Sequence, residues 1–168
     1  MEETDNGIYR KKEKAQGMVE FALTLPILLM LFFGIIEFGR LLFFYSAVVT
    51  ATREAARYGS AAGDVSAGLA YYEDCNGIRD AAIRIGGLVG VNGGNIGITY
   101  DRPEDTTVGV YGDCNPTFNP GGETLKLGDR IIVDISTQFQ PIVPLINVPA
   151  ITLQSETKRT ILQDVRVR

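Results

Sequence analysis

An uncharged, mostly apolar run over residues 21–36 constrains this chain more than any other feature of its sequence. Glu20 stands at the start of the run, and four basic residues precede it: Arg10, Lys11, Lys12 and Lys14. A core helix in a soluble domain does not need sixteen consecutive uncharged residues behind a basic cluster. A helix that crosses a membrane does, so the run predicts a transmembrane helix.

The run by itself is too short to cross a bilayer. It rises about 24 Å, against roughly 30 Å of hydrocarbon core, whereas extension to Tyr45 gives about 37 Å. The predicted span, about residues 21–45, therefore carries Glu37 and Arg40 in its outer third or near its outer interface. These two lie three positions apart on one helix face and can form an ion pair. The pair indicates either a face packed against another helix or an interfacial pair that ends the span.

A cleaved secretory signal is the competing interpretation of the run. Its apolar region would be about 7–15 residues long and would be followed by a small-x-small cleavage site. The run here is longer, and no such site appears before the helical pattern continues. The basic flank then favours a cytoplasmic N-terminus, with the bulk of the chain outside.

The composition excludes several classes of function. The residues after Tyr58 include nine basic and thirteen acidic side chains, which does not favour nucleic acid as a partner. The chain has no histidine, so neither a Ser-His-Asp nor a Cys-His catalytic arrangement nor a histidine-containing zinc site can form. We therefore expect no enzyme activity and no cofactor. Asp101 with Asp105, or Glu104, could bind Ca²⁺, and the alternative is a solvated acidic loop.

Two cysteines, Cys75 and Cys114, lie in the part expected outside the membrane. An even number of cysteines in an exported domain indicates a disulfide, and the alternative is a pair of free thiols. Closing a loop of about 40 residues would stabilise the domain by roughly 4 kcal/mol in the chain-entropy model. The spacing is not CxxC, which argues against a redox or zinc role.

The pattern divides the chain into a basic cytoplasmic leader, a long helix that includes the span and an extracytoplasmic domain, over residues 1–15, 16–59 and 60–168 respectively. Beyond the span, Ala47, Ala51 and Ala55 place small side chains at every fourth position of the helix, which permits close helix packing. Gly59 and the glycines that follow it indicate the end of the helix.

The outer domain is predicted to contain a second helix and a short antiparallel sheet. The helix covers residues 77–88, with Asn76 as its N-cap and an apolar inner face made of Ile78, Ala81, Ala82 and Ile85. The expected strands cover residues 96–100, 107–111 and 130–139, with a last strand or strand pair over 150–165. Residues 112–128 are expected to form a polar loop that contains Cys114. The fold class is therefore α+β.

Three blocks of the N-terminal segment carry a resemblance to a known family. They are residues 16–23 (QGMVEFAL) with Pro26, residues 34–40 (GIIEFGR) and residues 51–58 (ATREAARY). Together they resemble the TadE-like family, the pseudopilins (minor pilins) of tight-adherence, Flp-type pilus systems. The resemblance covers about a quarter of the chain. It implies a long transmembrane helix that continues into a small pilin-like domain, and no enzymatic role.

The resemblance also implies cleavage by a prepilin peptidase on the cytoplasmic face of the membrane. In such prepilins a glutamate is the fifth mature residue, so Glu20 makes Gln16 the first mature residue and puts Ala15 before the cut. The family usually has glycine there, and alanine is the next smallest residue. Cleavage after Gly17 would leave Glu20 third in the mature chain. Phe21 follows the glutamate and begins the apolar run.

Glu20 and Pro26 each have a functional and a simpler interpretation. The helix dipole favours a carboxylate at an N-terminus, and after cleavage Glu20 could pair with the new terminal amine. The alternative is a charge that rests among lipid headgroups. Pro26 removes one helix hydrogen bond, and in related pilins such a break lets the helix adapt when it leaves lipid for a filament. The alternative is a tolerated kink in an ordinary anchor.

The first interpretation is a structural minor pilin or pseudopilin of the inner membrane that contributes to the assembly, tip or priming of a Flp-type pilus, in which it is itself extracellular. The expected partners are membrane lipid, other pilins or pseudopilins, the pilus assembly platform and a prepilin peptidase. The alternative is a membrane-anchored extracellular binding module unrelated to filaments. Neighbouring genes for a secretion ATPase and a prepilin peptidase would distinguish the two.

Overall fold

The computed structural model describes residues 6–66, 68–103, 110–115, 117–122, 124–126, 128–142 and 149–162, with backbone alone for 6–15, 110 and 111. The chain divides into two compact units. The N-terminal unit comprises Met1–Arg40 and Ile142–Asn147, and the α+β unit comprises Leu41–Pro141 and Val148–Arg168. The α+β fold class is confirmed, with a long N-terminal helix, a second helix and antiparallel sheets.

Helix α1 covers Asn6–Gly59. Its first residue lies well before Gln16, where we expected the helix to begin. Residues 6–15 contain no proline and are rich in lysine, glutamate, arginine and alanine, which all favour a helix, so nothing in that segment stops the helix from extending. Its end at Gly59 agrees with the glycine signal, and the backbone N–H of Ser60 still bonds to the carbonyl of Ala56.

The N-terminal unit leaves its apolar side chains uncovered. From Gln16 to Ile36 every side chain is exposed except the half-buried Leu25. Within the described part of the chain, α1 is the one helix that is long and apolar enough to cross a membrane, by length and composition. None of its most apolar window is buried. Such an exposed apolar surface is typical of a lipid-facing helix and unfavourable in water.

The α+β unit adds the following elements to the second part of α1: β1 (Asp64–Ser66), β2 (Leu69–Ala70), α2 (Cys75–Gly86), β3 (Ile96–Asp101), β4 (Val110–Cys114), β5 (Phe118–Asn119), β6 (Arg130–Phe139) and β7 (Ile151–Thr160). Short 3₁₀ turns, Gly87–Val89 and Gly93–Asn95, connect α2 to β3. Strands β1 and β2 pair with each other, and the larger sheet has the order β5-β4-β3-β6-β7. All of its pairings are antiparallel.

The strand over 130–139 is confirmed at both ends, and β3 extends the expected strand by one residue, to Asp101. Of the last strand or strand pair expected over 150–165, the described residues form one strand, Ile151–Thr160, and residues 163–165 lie outside them. Most of the expected strand 107–111 lies outside the described residues. The loop expected over 112–128 is partly wrong, since Cys114 ends β4 and β5 follows. Strand β4 forms because its backbone pairs with β3, and this long-range pairing is not predicted by local strand propensity.

The predicted N-cap of the second helix is also wrong. Helix α2 begins at Cys75, and the carboxylate of Asp74 accepts the backbone N–H of Gly77 at 3.0 Å. Asn76 therefore lies inside the first turn. Both residues favour caps, and Asp74 takes this role because Tyr58 holds its other oxygen at 2.7 Å. The predicted inner face is confirmed for Ile78, Ala81 and Ala82, which are buried, while Ile85 is half-buried.

Small side chains on α1 let the two helices and the sheet approach closely. Within the α+β unit, Ala51, Ala55 and Ala56 have no exposed surface. They belong to one cluster with α2 and with the inner face of β6, on which Ile131, Val133 and Ile135 are buried. Phe44 of α1 adds an edge-to-face contact with Phe139, with ring centroids 5.1 Å apart. Of the alanines predicted for close helix packing, Ala51 and Ala55 are fully buried inside the domain and Ala47 is half-buried.

Two neighbouring glycines provide a test of this packing. A methyl group on Gly86 would clash with Val91 and come within 3.2 Å of the Ala51 Cβ, whereas on Gly87 its nearest neighbour, in Ile83, is 3.8 Å away. We expect Gly86→Ala to lower the free energy of unfolding by about 1–3 kcal/mol. Gly87 has helical backbone angles (φ −58°, ψ −36°), so Gly87→Ala should be neutral or stabilise by about 0.4–1 kcal/mol.

Thermal unfolding of the full chain in detergent, followed by circular dichroism, measures both effects. Equal destabilisation by the two substitutions would contradict the close approach at Gly86.

Candidate functional site: polar positions on the apolar helix

The first polar position is Glu20, one turn after Gln16. The Gln16 amide donates a hydrogen bond to the Glu20 carboxylate at 3.1 Å, and both side chains are exposed. The hydroxyl of Thr24 donates to the backbone carbonyls of Glu20 and Phe21, at 3.1 and 3.2 Å. The carboxylate therefore has an intrahelical partner and remains open to a second one.

The expected processing residues lie together on this part of α1. Ala15 and Gln16 are consecutive helical residues, although the side chain of Ala15 lies outside the described part. Gly17 has no atom within 4 Å of the position where a Cβ would stand, and Phe21 is exposed. A glycine weakens a helix by about 1 kcal/mol relative to alanine. The turn beside the expected cut is thus exposed and less strongly helical than its neighbours.

Pro26 lies inside α1, and the helix is continuous through it. The proline ring removes the hydrogen bond that a residue at this position would donate to the carbonyl of Ala22. No local loss of helix accompanies it in this structure. Both interpretations of Pro26, an adaptable break and a tolerated kink, stay predictions.

Glu37 and Arg40 form an ion pair that involves both oxygens of the Glu37 carboxylate. One Arg40 nitrogen, Nη1, donates to both carboxylate oxygens of Glu37, at 2.7 and 2.9 Å. Their side chains retain 29% (Arg40) and 16% (Glu37) of their accessible surface, so both are half-buried. The backbone N–H of Ile142, in the same compact unit, also donates to the Glu37 carboxylate, at 3.1 Å. The sequence gives no signal for this third contact.

The cysteines form a disulfide, as predicted. Cys75, the first residue of α2, is bonded to Cys114, the last residue of β4, with 5.4 Å between their Cα atoms. The hydroxyl of Tyr100 lies 3.1 Å from the Cys114 sulfur and donates to the Tyr72 carbonyl. Cys114 is fully buried and Cys75 nearly so. The bond therefore fastens α2 to the sheet.

The acidic loop considered for Ca²⁺ is only partly described. Glu104 and Asp105 lie outside the described residues, while Asp101 forms a two-pronged ion pair with Arg130, at 2.8 and 2.5 Å. This contact raises the pKa of Arg130. Its cross-strand partner thus already engages the Asp101 carboxylate. Among the described residues, no group of three or more acidic or cysteine side chains is placed to hold a metal.

An open cleft of about 480 Å³ borders β3 and β4. Its charged lining residues are Arg79, Asp113 and Asp134. Arg79 donates a hydrogen bond to the backbone carbonyl of Cys114. Polar groups of both signs around an open depression can contact a polar ligand or the surface of another protein. The cleft is therefore a candidate binding surface.

Tyr58 connects the end of α1 to the start of α2. Its hydroxyl donates to the Asp74 carboxylate at 2.7 Å, and its ring stacks edge-to-face on Tyr71, with centroids 5.1 Å apart. Desolvation of the ring, followed by the hydrogen bond to Asp74, raises the pKa of Tyr58 to about 12. Sequence reasoning noted Tyr58 only as part of a motif. Neither hydropathy nor spacing reveals a partner sixteen positions away.

In the comparison with known families, a model described as TadE-like protein matches residues 15–57. The match covers about a quarter of the chain and coincides with the part of α1 that contains Glu20, Pro26, Glu37 and Arg40. No curated protein and no solved structure matches the chain. The match points to a protein associated with tight-adherence, Flp-type pili. Together with the exposed apolar helix, it indicates a membrane-anchored protein.

The raised pKa of Tyr58 predicts the behaviour of the chain in alkali. Tyrosines in the unfolded chain ionise near pH 10, whereas Tyr58 in the folded chain keeps its proton up to about pH 12. Its contribution to stability is therefore complete below pH 10 and is lost as the pH rises through this window. Spectrophotometric titration of the full chain and of Tyr58→Phe should differ by one group that ionises near pH 12.

Asp74→Asn keeps a hydrogen-bond acceptor and removes the charge, so it should lower the pKa of Tyr58. If instead the difference between the unsubstituted chain and Tyr58→Phe titrated near pH 10, the contact assigned to Tyr58 would be contradicted.

Proposed function

We propose that this chain is a structural minor pilin or pseudopilin that contributes to the assembly, tip or priming of a Flp-type pilus. The observation that carries the proposal is the coincidence of the family match, residues 15–57, with an exposed apolar stretch of α1 that has a carboxylate, Glu20, at its start. A simple anchor gains nothing from a charge at that position, because a charge adds to the cost of insertion. Glu20 therefore needs a partner.

We propose that the partner of Glu20 is the N-terminal amine that processing creates. Cleavage between Ala15 and Gln16 by a prepilin peptidase would place the new amine one helical turn before Glu20. In the intact chain the side-chain amide of Gln16 donates to the Glu20 carboxylate at 3.1 Å, so this carboxylate is directed toward the turn that would carry the new amine. A charge-assisted contact is roughly twice as strong as a neutral one. The amine of a neighbouring subunit would satisfy the same carboxylate.

The partners follow from the same segment. The apolar side chains of α1 contact lipid before assembly and other pilins or pseudopilins after it. Glu37 and Arg40 leave no net charge on residues 21–45 of the helix, so this span can pass from lipid to a protein environment at reduced cost. The assembly platform and a prepilin peptidase act on the chain in the inner membrane. We propose no nucleic-acid partner.

A second candidate is a membrane-anchored binding module that does not join a filament. The open cleft beside β3, with Arg79, Asp113 and Asp134 around it, favours this alternative because it offers polar groups to a ligand. In that case Glu20 would have no assembly role. Substitutions at Glu20 therefore separate the two functions.

We expect Glu20→Ala to leave membrane insertion intact and to weaken association with other pilins. Loss of one charge-assisted contact typically costs about 1.5–3 kcal/mol, roughly a ten- to hundredfold loss in association. Glu20→Gln keeps the shape and an acceptor, and it should be nearly as defective if charge is what matters. The measurement is co-purification with the pilus machinery and a count of surface pili, at equal membrane levels of each variant.

Thr24→Val is the matched control, because it removes a polar group from the next turn without changing the charge. It should assemble normally. Normal piliation in both Glu20 variants would reduce the carboxylate to a bystander and favour the anchored binding module.

The chain is expected to insert with its N-terminus in the cytoplasm, because the basic residues between positions 10 and 14 precede the apolar run. Protease added to intact spheroplasts should then digest the region after Gly63 and leave the basic leader protected. Lysed spheroplasts provide the control for access. Protection of the α+β unit in intact spheroplasts would reverse the proposed orientation.

A further inference from the structure

We propose that the connection between β6 and β7 makes a second contact with lipid, beside the spanning helix, at Ile142. Two observations in the N-terminal unit bear on it. The Ile142 side chain is 70% exposed, and its backbone N–H bonds to Glu37 on the apolar helix. The inference rests on the proposed membrane insertion of α1, and the experiment below tests the two separately.

The hydrogen bond fixes the depth of Ile142. Glu37 lies eight residues before Tyr45, which is about 12 Å along the helix axis. If the span continues to Tyr45, then Ile142 lies inside the hydrocarbon. If the Glu37–Arg40 pair ends the span, then Ile142 lies at the outer interface. Both placements bring its exposed side chain into contact with lipid.

The sequence around Ile142 suits this environment. No charged residue occurs between Asp134 and Glu156, although charges are frequent before and after this stretch. A lipid-facing backbone must have its N–H groups satisfied or absent. Pro141, the residue before Ile142, has no N–H, and the N–H of Ile142 is satisfied by Glu37. Two further prolines, Pro144 and Pro149, remove donors from the same connection.

The contact also benefits the helix. A carboxylate at this depth is costly unless its oxygens are paired. Arg40 and the Ile142 N–H together give Glu37 three hydrogen bonds. The connection thus contributes a polar backbone group to the Glu37 carboxylate and directs an apolar side chain away from water. The occupant that matches an exposed isoleucine, bonded to a lipid-facing helix and set in an uncharged, proline-rich stretch of sequence, is the bilayer itself.

Probes at single cysteines in the full chain test the depth of Ile142. The native thiols are joined in the Cys75–Cys114 disulfide, so an environment-sensitive dye reacts only with an introduced cysteine. Met30→Cys marks the span, Ile142→Cys marks the connection, and Leu88→Cys is the matched control. Leu88 is likewise an exposed apolar residue, 90% accessible, but it lies in the turn after α2. Each variant is reconstituted at fewer than one chain per phosphatidylcholine–phosphatidylglycerol vesicle.

Two quenchers separate the environments: nitroxide on the lipid acyl chains, and iodide in the water. We expect lipid quenching at positions 30 and 142, with severalfold less iodide quenching at 142 than at 88. Suppose that lipid nitroxide quenches the probe at position 30, while iodide quenches the probe at 142 as strongly as the one at 88. This result would overturn the lipid contact and leave the proposed insertion of the helix intact. Absence of lipid quenching at 30 would overturn the proposed insertion, and the lipid contact with it. Shielding of 142 from both quenchers would overturn the lipid contact in favour of a protein one.

Discussion

Close packing between α1 and α2 depends on side chains no larger than alanine at the contact. Ala51, Ala55 and Ala56 have no exposed surface, and a methyl group on Gly86 would clash with Val91 and come within 3.2 Å of the Ala51 Cβ. Protein interiors are packed so densely that even one added methylene group disturbs the packing. The alanine stripe thus fixes how near α2 comes to α1, and hence how both helices cover the inner face of β6. The disulfide from Cys75 to Cys114 then fastens the start of α2 to β4 of the sheet.

The N-terminal unit differs from the α+β unit in the size and exposure of its side chains. Between Gln16 and Ile36 its side chains are mostly large, apolar and exposed, which is unfavourable in water and appropriate in lipid or against other apolar helices. Between residues 16 and 40 the charged side chains are few, and each has a partner: Glu20 with Gln16, and Glu37 with Arg40 and the Ile142 N–H. The Glu20 contact is exposed and the Glu37 contacts are half-buried. Glu20 is therefore the carboxylate that is better placed to meet a second molecule.

Polar groups within the α+β unit are satisfied in a similar way. The described residues contain no buried side-chain nitrogen or oxygen without a hydrogen bond. Asp129 is almost fully buried, and it accepts from Arg102 at 2.9 and 3.1 Å and from the Lys126 backbone at 2.7 Å. Breaking such a pair leaves an uncompensated buried charge, which is strongly destabilising. In its described part the unit thus combines a small apolar core with buried polar side chains that all have hydrogen-bond partners.

The sequence by itself determined the elements whose signals are local. The apolar run predicted the exposed helix, alternation predicted β6, and the even cysteine count indicated the disulfide, because hydropathy, period and composition are properties of neighbouring residues. The same segment carried the family resemblance. Only the tertiary structure decided contacts between distant positions: Asp74 rather than Asn76 as the cap, Tyr58 on Asp74, Cys114 in a strand, and Ile142 on Glu37. Their partners are brought together by packing and sheet pairing, and no periodicity in the sequence records which distant groups will meet.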